Sequence, residues 1–158
     1  MRGALLCCFI LFVSSVACSS TSREMSDQEI AAIREAVSME FDKVNDAVDR
    51  LDCSGIKSRP RDREPVFVSQ GRVSRTSDAE RADCEKMLVG RTGASWTNTR
   101  TVVHVLSPNA AYLVREGTYT ISYHDRAPRV LALVISNVFE RHGGNWLSMH
   151  FHESFTEQ

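Results

Sequence analysis

The chain predicts an α+β fold, because two amphipathic helices precede a set of long strands instead of alternating with them. Three observations carry this prediction. Apolar residues recur at helical intervals from Ser26 to Leu51, and a second helix-start signal begins at Ser77. After Gly93 the sequence changes to segments rich in Thr and Val that are separated by turn residues.

Both predicted helices begin at a capping box, in which a hydroxyl and a glutamate three residues later bond the free amides of the first turn. The boxes are Ser26-Asp27-Gln28-Glu29 and Ser77-Asp78-Ala79-Glu80, and the second helix extends to about Val89. Gly55 is expected to end the first helix in a left-handed conformation. Residues 66–73 predict a short hairpin between the helices. The apolar stripe of the first helix contains Ile30, Ile33, Val37, Phe41, Val44, Val48 and Leu51.

Four long strands are predicted to follow as an antiparallel meander. Their expected ranges are 96–106, 110–123, 129–141 and 146–155. Each connection contains turn-forming residues such as Pro108, Asp125 or Gly143. Residues 130–135 of the third strand are apolar on both faces, which predicts the most buried strand of the sheet.

The last strand carries two histidines at positions i and i+2. Alternation places His150 and His152 on one face of the strand and its large apolar residues on the other. Alternation places Glu153 on the apolar face of the strand. If buried there, it would need a partner such as Arg100 or Arg115, and it is a minor acid–base candidate. The apolar face is expected to contain Leu147, Met149, Phe151 and Phe155.

Residues 1–17 have the composition of a secretory signal peptide, with Arg2 before a short apolar segment. That segment has about 10 residues, whereas a spanning helix needs about 20. Ser15-Val16-Ala17-Cys18 resembles the lipobox of bacterial lipoproteins, in which the cysteine becomes the acylated first residue. We therefore expect lipidation of Cys18 and a tether over residues 18–25. Cleavage at the same bond by an ordinary secretory peptidase, without lipidation, is the alternative.

Export changes how the remaining cysteines are interpreted. The expected location is the cell envelope, on the periplasmic side of a bacterial membrane, or otherwise the secreted fraction. Two cysteines in an oxidising compartment, Cys53 and Cys84, predict a disulfide. Two buried free thiols are the alternative. Zinc binding is not expected, because no second pair of ligands with zinc-site spacing accompanies them.

Charge and motifs exclude several function classes. The formal net charge is −1 and no basic segment stands out, so nucleic-acid binding is not expected. The sequence has no nucleotide-binding glycine pattern and no nucleophilic-serine motif. We therefore expect no cofactor and no metal.

The order of elements, with Gly144-Asn145-Trp146 followed by His150-Phe151-His152-Glu153-Ser154, resembles the nuclear transport factor 2 superfamily. Residues 67–72 also stand where that superfamily has its short hairpin. Within the superfamily the chain is similar to SnoaL-like domains and to the association domain of calcium/calmodulin-dependent protein kinase II. The resemblance covers residues 26–155, and we take residues 26–158 as the domain.

The resemblance implies a cone, in which a curved antiparallel sheet of four long strands and a short hairpin wraps the helices around a pocket. Some relatives are isomerases or dehydratases, and others bind small molecules or dimerise. Ketosteroid isomerases use a carboxylate base with a tyrosine. No aspartate of this sequence stands in a matching motif.

We expect an exported, lipid-anchored domain that binds a small apolar or aromatic ligand, forms a homodimer, or does both, without catalysis. The residues expected to contact the ligand are His104, Tyr119, His150 and His152. The first alternative is an isomerase or dehydratase that uses His150 or His152 with a tyrosine. The second is a structural envelope module with a vestigial pocket.

Overall fold

The structure is a computed structural model that describes residues 24–56 and 64–158. In these residues it contains two α-helices, a short 3-10 turn and six strands. The helices are α1 Asp27–Asp49 and α2 Ser77–Leu88, and the 3-10 turn is Cys53–Gly55. The strands are β1 Val66–Ser69, β2 Arg72–Ser74, β3 Arg91–Ser107, β4 Ala110–Tyr123, β5 Arg129–His142 and β6 Asn145–Glu157.

The strands of the described residues form one curved, mixed sheet with the order β2-β1-β6-β5-β4-β3. The predicted α+β architecture, the hairpin and the meander of four long strands are confirmed. The sheet is mixed because β1 runs parallel to β6, a pairing on which the sequence made no prediction. A helix and four strands separate β1 from β6 along the chain, so no tight turn forces them to be antiparallel.

Helix α1 packs on one face of the sheet, which we call the inner face. The predicted apolar stripe makes this contact through Ile33, Val37 and Phe41, which are buried. Burial of such side chains is the main source of stability in a domain of this size. Their partners in the core cluster are Val103, Ala111, Leu113, Leu133, Ile135, Phe139 and Trp146.

The C-terminal end of α1 differs from the prediction. Leu51, not Gly55, adopts the left-handed conformation, with φ 60°. The amide of Asp52 donates to the carbonyl of Ala47, and the amide of Leu51 donates to the carbonyl of Val48. These are the two hydrogen bonds of a Schellman motif. Gly55 is instead required for close packing, because a Cβ at this position would lie 3.1 Å from the Ala47 Cβ.

Side chains of β6 change face at a β-bulge. The register of β6 against β5 shifts between Val138 and Phe139, which makes Met149 an extra residue. Leu147 therefore faces outward, so the prediction of its face is wrong, and Trp146 enters the core in its place. Beyond the bulge the inner face carries Phe151, Glu153 and Phe155, as alternation predicts.

Helix α2 is attached to the end of α1 by a disulfide between Cys53 and Cys84, which confirms the predicted bridge. The two cysteines and Ile56 form a small apolar cluster apart from the main core. The N-cap of α2 is Thr76, one residue before the predicted position, because its hydroxyl accepts a hydrogen bond from the Ala79 amide at 3.1 Å.

The predicted signal peptide, Cys18 and residues 19–23 of the tether lie outside the described residues. Their assignment therefore stays a prediction. Within residues 24–56 and 64–158, no helix combines the length and the apolar character that crossing a membrane requires.

We expect replacement of both Cys53 and Cys84 by alanine to lower the free energy of unfolding by about 3 kcal/mol. The bridge closes a loop with a sequence separation of 31, and its loss returns conformational freedom to the unfolded chain. Urea denaturation of the wild type and the double variant measures the difference. Reduction of the wild type by dithiothreitol is the matched control and should give the same loss. A loss below about 1 kcal/mol would contradict a stabilising bridge.

Candidate functional site

A cavity of about 230 Å³ lies between the inner face of the sheet and the two helices. All six strands described above contribute to its lining. Most of the wall is apolar, which is typical of a small-molecule site. The apolar lining includes Val44, Val48, Ile121, Leu133, Phe151 and Phe155.

One wall of the cavity depends on a glycine. Gly117 of β4 faces the indole of Trp96, and a Cβ on the glycine would lie 2.9 Å from Trp96 Cζ2 and closer still to the Thr97 carbonyl oxygen. Trp96 is also the direct cross-strand partner of Tyr119, with ring centroids 6.3 Å apart. The missing side chain therefore lets the indole and the phenol form a continuous aromatic wall.

Tyr119 lines the cavity, at the place where the sequence predicts a ligand contact. Burial raises the pKa of Tyr119 to about 12; the carboxylates of Asp49 and Glu153 add to this, and the guanidinium of Arg91 opposes it. The phenol is therefore neutral and keeps its proton at physiological pH. The Arg91 side chain donates a hydrogen bond to the phenol oxygen, whereas the hydroxyl proton has no acceptor among the described residues. The proton is therefore available for donation to a ligand.

Asp49 stands at the last position of α1, where the helix dipole disfavours negative charge. No basic residue occupies this last turn. Burial raises the pKa of Asp49, a hydrogen bond from the Trp96 backbone opposes the rise, and the neighbouring Asp46 adds to it. A carboxylate that is placed against the helix dipole and faces a cavity is a functional candidate. Proteins retain the energetic cost of such a placement mainly at functional sites.

Glu153 faces the cavity from β6 and accepts a hydrogen bond from the Ser69 hydroxyl of β1, with an oxygen–oxygen distance of 2.5 Å. Burial raises the pKa of Glu153, and the Ser69 hydrogen bond and the Arg91 guanidinium oppose the rise. Arg91 therefore acts electrostatically on both Tyr119 and Glu153. These residues and Asp49 form a polar cluster inside an otherwise apolar cavity.

Arg115, one of the cations expected beside Glu153, has a different role. It is buried, and its Nη1 pairs with the Asp42 carboxylate of α1 at 2.5 Å. Its Nε donates to the Thr101 hydroxyl at 3.0 Å, and its guanidinium lies over the Phe41 ring. Arg115 therefore ties α1 to the sheet and does not itself line the cavity.

The three histidines expected in the pocket do not line the cavity. The register of β6 places His150 and His152 opposite outward-facing positions of β5. His104 stacks on Tyr112, with ring centroids 6.4 Å apart, on the same outer face. Side-chain alternation along the strands explains this placement. Helix α1 covers the apolar face of the sheet, and the histidines lie on the opposite face. Their predicted placement in the cone pocket is therefore wrong.

Solved structures share this architecture. A proposed scytalone dehydratase from Novosphingobium aromaticivorans superimposes with a TM-score of 0.74 at 12% identity, covering 83% of this chain and 89% of that one. A proposed dehydratase of the nuclear transport factor 2-like family from Streptomyces avermitilis superimposes with a TM-score of 0.69 at 16% identity. The superposition covers 80% of this chain and 98% of that one. The chain has the nuclear transport factor 2-like fold.

A hexachlorocyclohexane dehydrochlorinase from Novosphingobium barchaimii also shares the nuclear transport factor 2-like fold with this chain. The TM-score is 0.67 at 14% identity, over 84% of this chain and 94% of that one. No protein-family profile matches the sequence, and no curated protein matches it. The resemblance predicted from the sequence is thus confirmed at the level of the fold. The closer similarity to the kinase association domain stays a prediction.

Sequence reasoning identified Tyr119 in the nuclear transport factor 2-like cone but missed Asp49 and Arg91. The acidic last turn of α1 was the available signal for Asp49, since it violates the usual charge preference. Arg91 had no such signal, because its position follows from the start of β3 beside the cavity. Within residues 24–56 and 64–158, no group of three or more His, Cys, Asp or Glu side chains could hold a metal ion.

The half-buried Glu153 predicts a pH dependence of the free energy of unfolding. Its folded-state pKa lies above the unfolded value of about 4.5, so the folded state binds more protons and stability falls as pH rises through the folded pKa. We expect Glu153→Gln to be less sensitive than the wild type to a change from pH 4 to pH 7. Urea denaturation at both pH values checks this. Glu157→Gln, on an exposed carboxylate of the same strand, is the control. A Glu153→Gln profile parallel to that of the wild type would contradict the burial effect.

Proposed function

We propose that this domain binds a small, largely apolar molecule in the cone cavity, without catalysing a reaction. The observation that carries the proposal is the cavity itself, which combines an apolar wall with a cluster of polar groups around Tyr119. An apolar cavity of about 150 Å³ holds one benzene. A cavity of about 230 Å³ therefore fits a substituted single ring or a small fused ring system.

Ethylbenzene should bind to the wild type, because it needs only the apolar wall. We expect Leu133→Trp, which fills the cavity from β5, to abolish this binding. Ligand-observed NMR measures binding, and circular dichroism confirms that the variant is folded. Val89→Trp adds the same ring at a position that is 78% exposed, and it should bind like the wild type. Equal binding by Leu133→Trp, or no binding by the wild type, would contradict the proposal.

We also propose a homodimer formed through the outer face of the sheet. Val130 and Val134 of β5 support it, because these apolar side chains lie on the outer face and are 36% and 45% exposed. Exposed apolar patches on a sheet commonly mark protein–protein contacts. A second copy presenting the same face would bury both valines.

Val134→Lys should convert a dimer into a monomer, because it replaces an exposed apolar side chain of the proposed interface with a charged one. Analytical ultracentrifugation measures the mass of each species. Val89→Lys, outside this face, is the matched control and should leave the dimer intact. A wild-type monomer, or a Val134→Lys dimer of unchanged affinity, would overturn the proposed interface.

The proposal includes export and a lipid anchor at Cys18, supported by the signal-peptide composition and the lipobox-like residues. Radiolabelled palmitate should label the wild type and fail to label Cys18→Ala. Absence of label on the wild type would favour simple secretion. Cys53→Ala serves as the control, because it removes a cysteine that is not at the predicted cleavage site.

A second candidate function is acid–base catalysis in the same cavity. Glu153 supports it, since a carboxylate with a raised pKa beside a neutral phenol can take a proton from carbon while Tyr119 donates to the oxygen. Two of the similar structures are named as dehydratases and one as a dehydrochlorinase, which makes acid–base catalysis worth testing here. Deuterium exchange into the methyl group of acetophenone, lost in Glu153→Gln, would favour catalysis over binding alone.

A further inference from the structure

Among the fully buried side-chain polar atoms of the cavity lining, unpaired hydrogen-bond donors outnumber unpaired acceptors. Four lining side chains have a buried donor without a protein partner among the described residues, and only the Asn137 Oδ1 acceptor is in the same state. Arg and Trp nitrogens can only donate, and a neutral phenol can donate its proton. Leaving such groups unpaired costs about 1–3 kcal/mol each. The four donor atoms are Asn45 Nδ2, Arg91 Nε, Trp96 Nε1 and Tyr119 Oη.

These donors are held around one end of the cavity. Trp96 and Tyr119 are cross-strand neighbours, and the Trp96 backbone bonds Asp49. Asn45 precedes Asp49 by one helical turn, so both lie on the same side of α1. Arg91 is close enough to Tyr119 to oppose the rise of its pKa. The donors therefore come from α1, β3 and β4 toward a shared region.

The two carboxyl groups of this region already accept hydrogen bonds from the protein. Asp49 accepts from the Trp96 backbone, and Glu153 accepts from the Ser69 hydroxyl. A ligand that brings donors alone would leave the four unpaired donor atoms without partners. A ligand that brings acceptors would pair groups that the protein leaves unpaired.

Charge further restricts the ligand. The cavity is lined by three arginines and four acidic residues, so it offers no excess of positive charge for an anion. Burial raises the pKa of both Asp49 and Glu153, and a ligand anion beside them would add a further unfavourable interaction. A neutral acceptor avoids this cost. The charged residues are Arg72, Arg91, Arg129, Asp49, Glu80, Asp83 and Glu153.

We infer that the ligand is a neutral carbonyl compound, a ketone or an ester on a body of one or two rings, whose oxygen accepts hydrogen bonds from the Tyr119 and Trp96 end of the cavity. The inference rests on the proposed binding function and specifies its ligand class. A carbonyl oxygen has two lone pairs and can accept from two of the donors at once. The rings occupy the apolar wall.

Four compounds of similar size test the ligand class: acetophenone, ethylbenzene, benzoate and protonated 1-phenylethylamine. We expect acetophenone to bind at least about tenfold more tightly than ethylbenzene, which matches one or two net hydrogen bonds. Benzoate and the amine should bind more weakly than acetophenone. Ligand-observed NMR titrations of the wild type at pH 7 give the four dissociation constants.

The outcomes separate the inference from the proposed function. Equal affinities for acetophenone and ethylbenzene would overturn the inference while leaving the binding function intact, as expected if water serves the donors equally well. Tightest binding of benzoate or the amine would overturn the neutral class. Binding of none of the four compounds would contradict the binding function itself.

Tyr119→Phe tests the donor that the inference depends on most. We expect it to weaken acetophenone binding by about tenfold and to leave ethylbenzene binding unchanged. Tyr112→Phe removes the same hydroxyl from the outer face and should change neither affinity. An equal loss for both ligands would show a packing role for Tyr119 and would contradict the hydrogen bond. The comparison of the four compounds on the wild type does not depend on either variant.

Discussion

Side chains of a β-strand alternate between the two faces of a sheet, and in this domain that constraint separates two surfaces of different chemistry. The inner face is covered by α1 and α2 and encloses the cavity. The outer face carries the histidines and two exposed valines. Every later step depends on which side chains pass to the inner face. Met149 is decisive here, because its bulge brings Trp146 inward while keeping Phe151 and Glu153 on the cavity side.

The polar cluster costs folding stability, and this cost indicates that the cavity is a recognition site. A core built only for stability would fill this space with apolar side chains and leave no donors unpaired. Here Asp49 opposes a helix dipole, Glu153 is a half-buried acid with a raised pKa, and the hydroxyl proton of Tyr119 has no acceptor among the described residues. These features are expected at a site that exchanges stability for recognition. The disulfide and the ion pair between the buried Arg115 and the half-exposed Asp42 fix the helices around that site.

The fold was largely predictable, because the helical stripe, the first capping box and the four alternating segments each agree with one architecture. The exceptions have local physical causes. Leu51 adopts the left-handed conformation because the Schellman hydrogen bonds form around it, although Gly55 has the lower intrinsic cost. The parallel pairing of β1 with β6 joins segments far apart in sequence, and no local pattern encodes it.

The site was less predictable, because it assembles residues from separate elements. Tyr119 was identifiable by its strand, whereas Arg91 enters the site only through the position of β3 in the folded sheet. The histidine pair drew attention as a familiar acid–base group, yet alternation leaves it outside the cavity lining. A sequence motif can thus identify the correct strand and still indicate the wrong face.

Tyrosine NMR tests the central claim most directly, since the chain contains only three tyrosines. Tyr119 lines the cavity, whereas Tyr112 lies on the outer face and Tyr123 lies outside the lining, against Arg126. In protein with ¹³C-labelled tyrosine rings, titration with acetophenone should shift the Tyr119 signals and leave the other two unchanged. A selective shift of Tyr112, or no shift of Tyr119 under saturating ligand, would contradict an inner-face binding site.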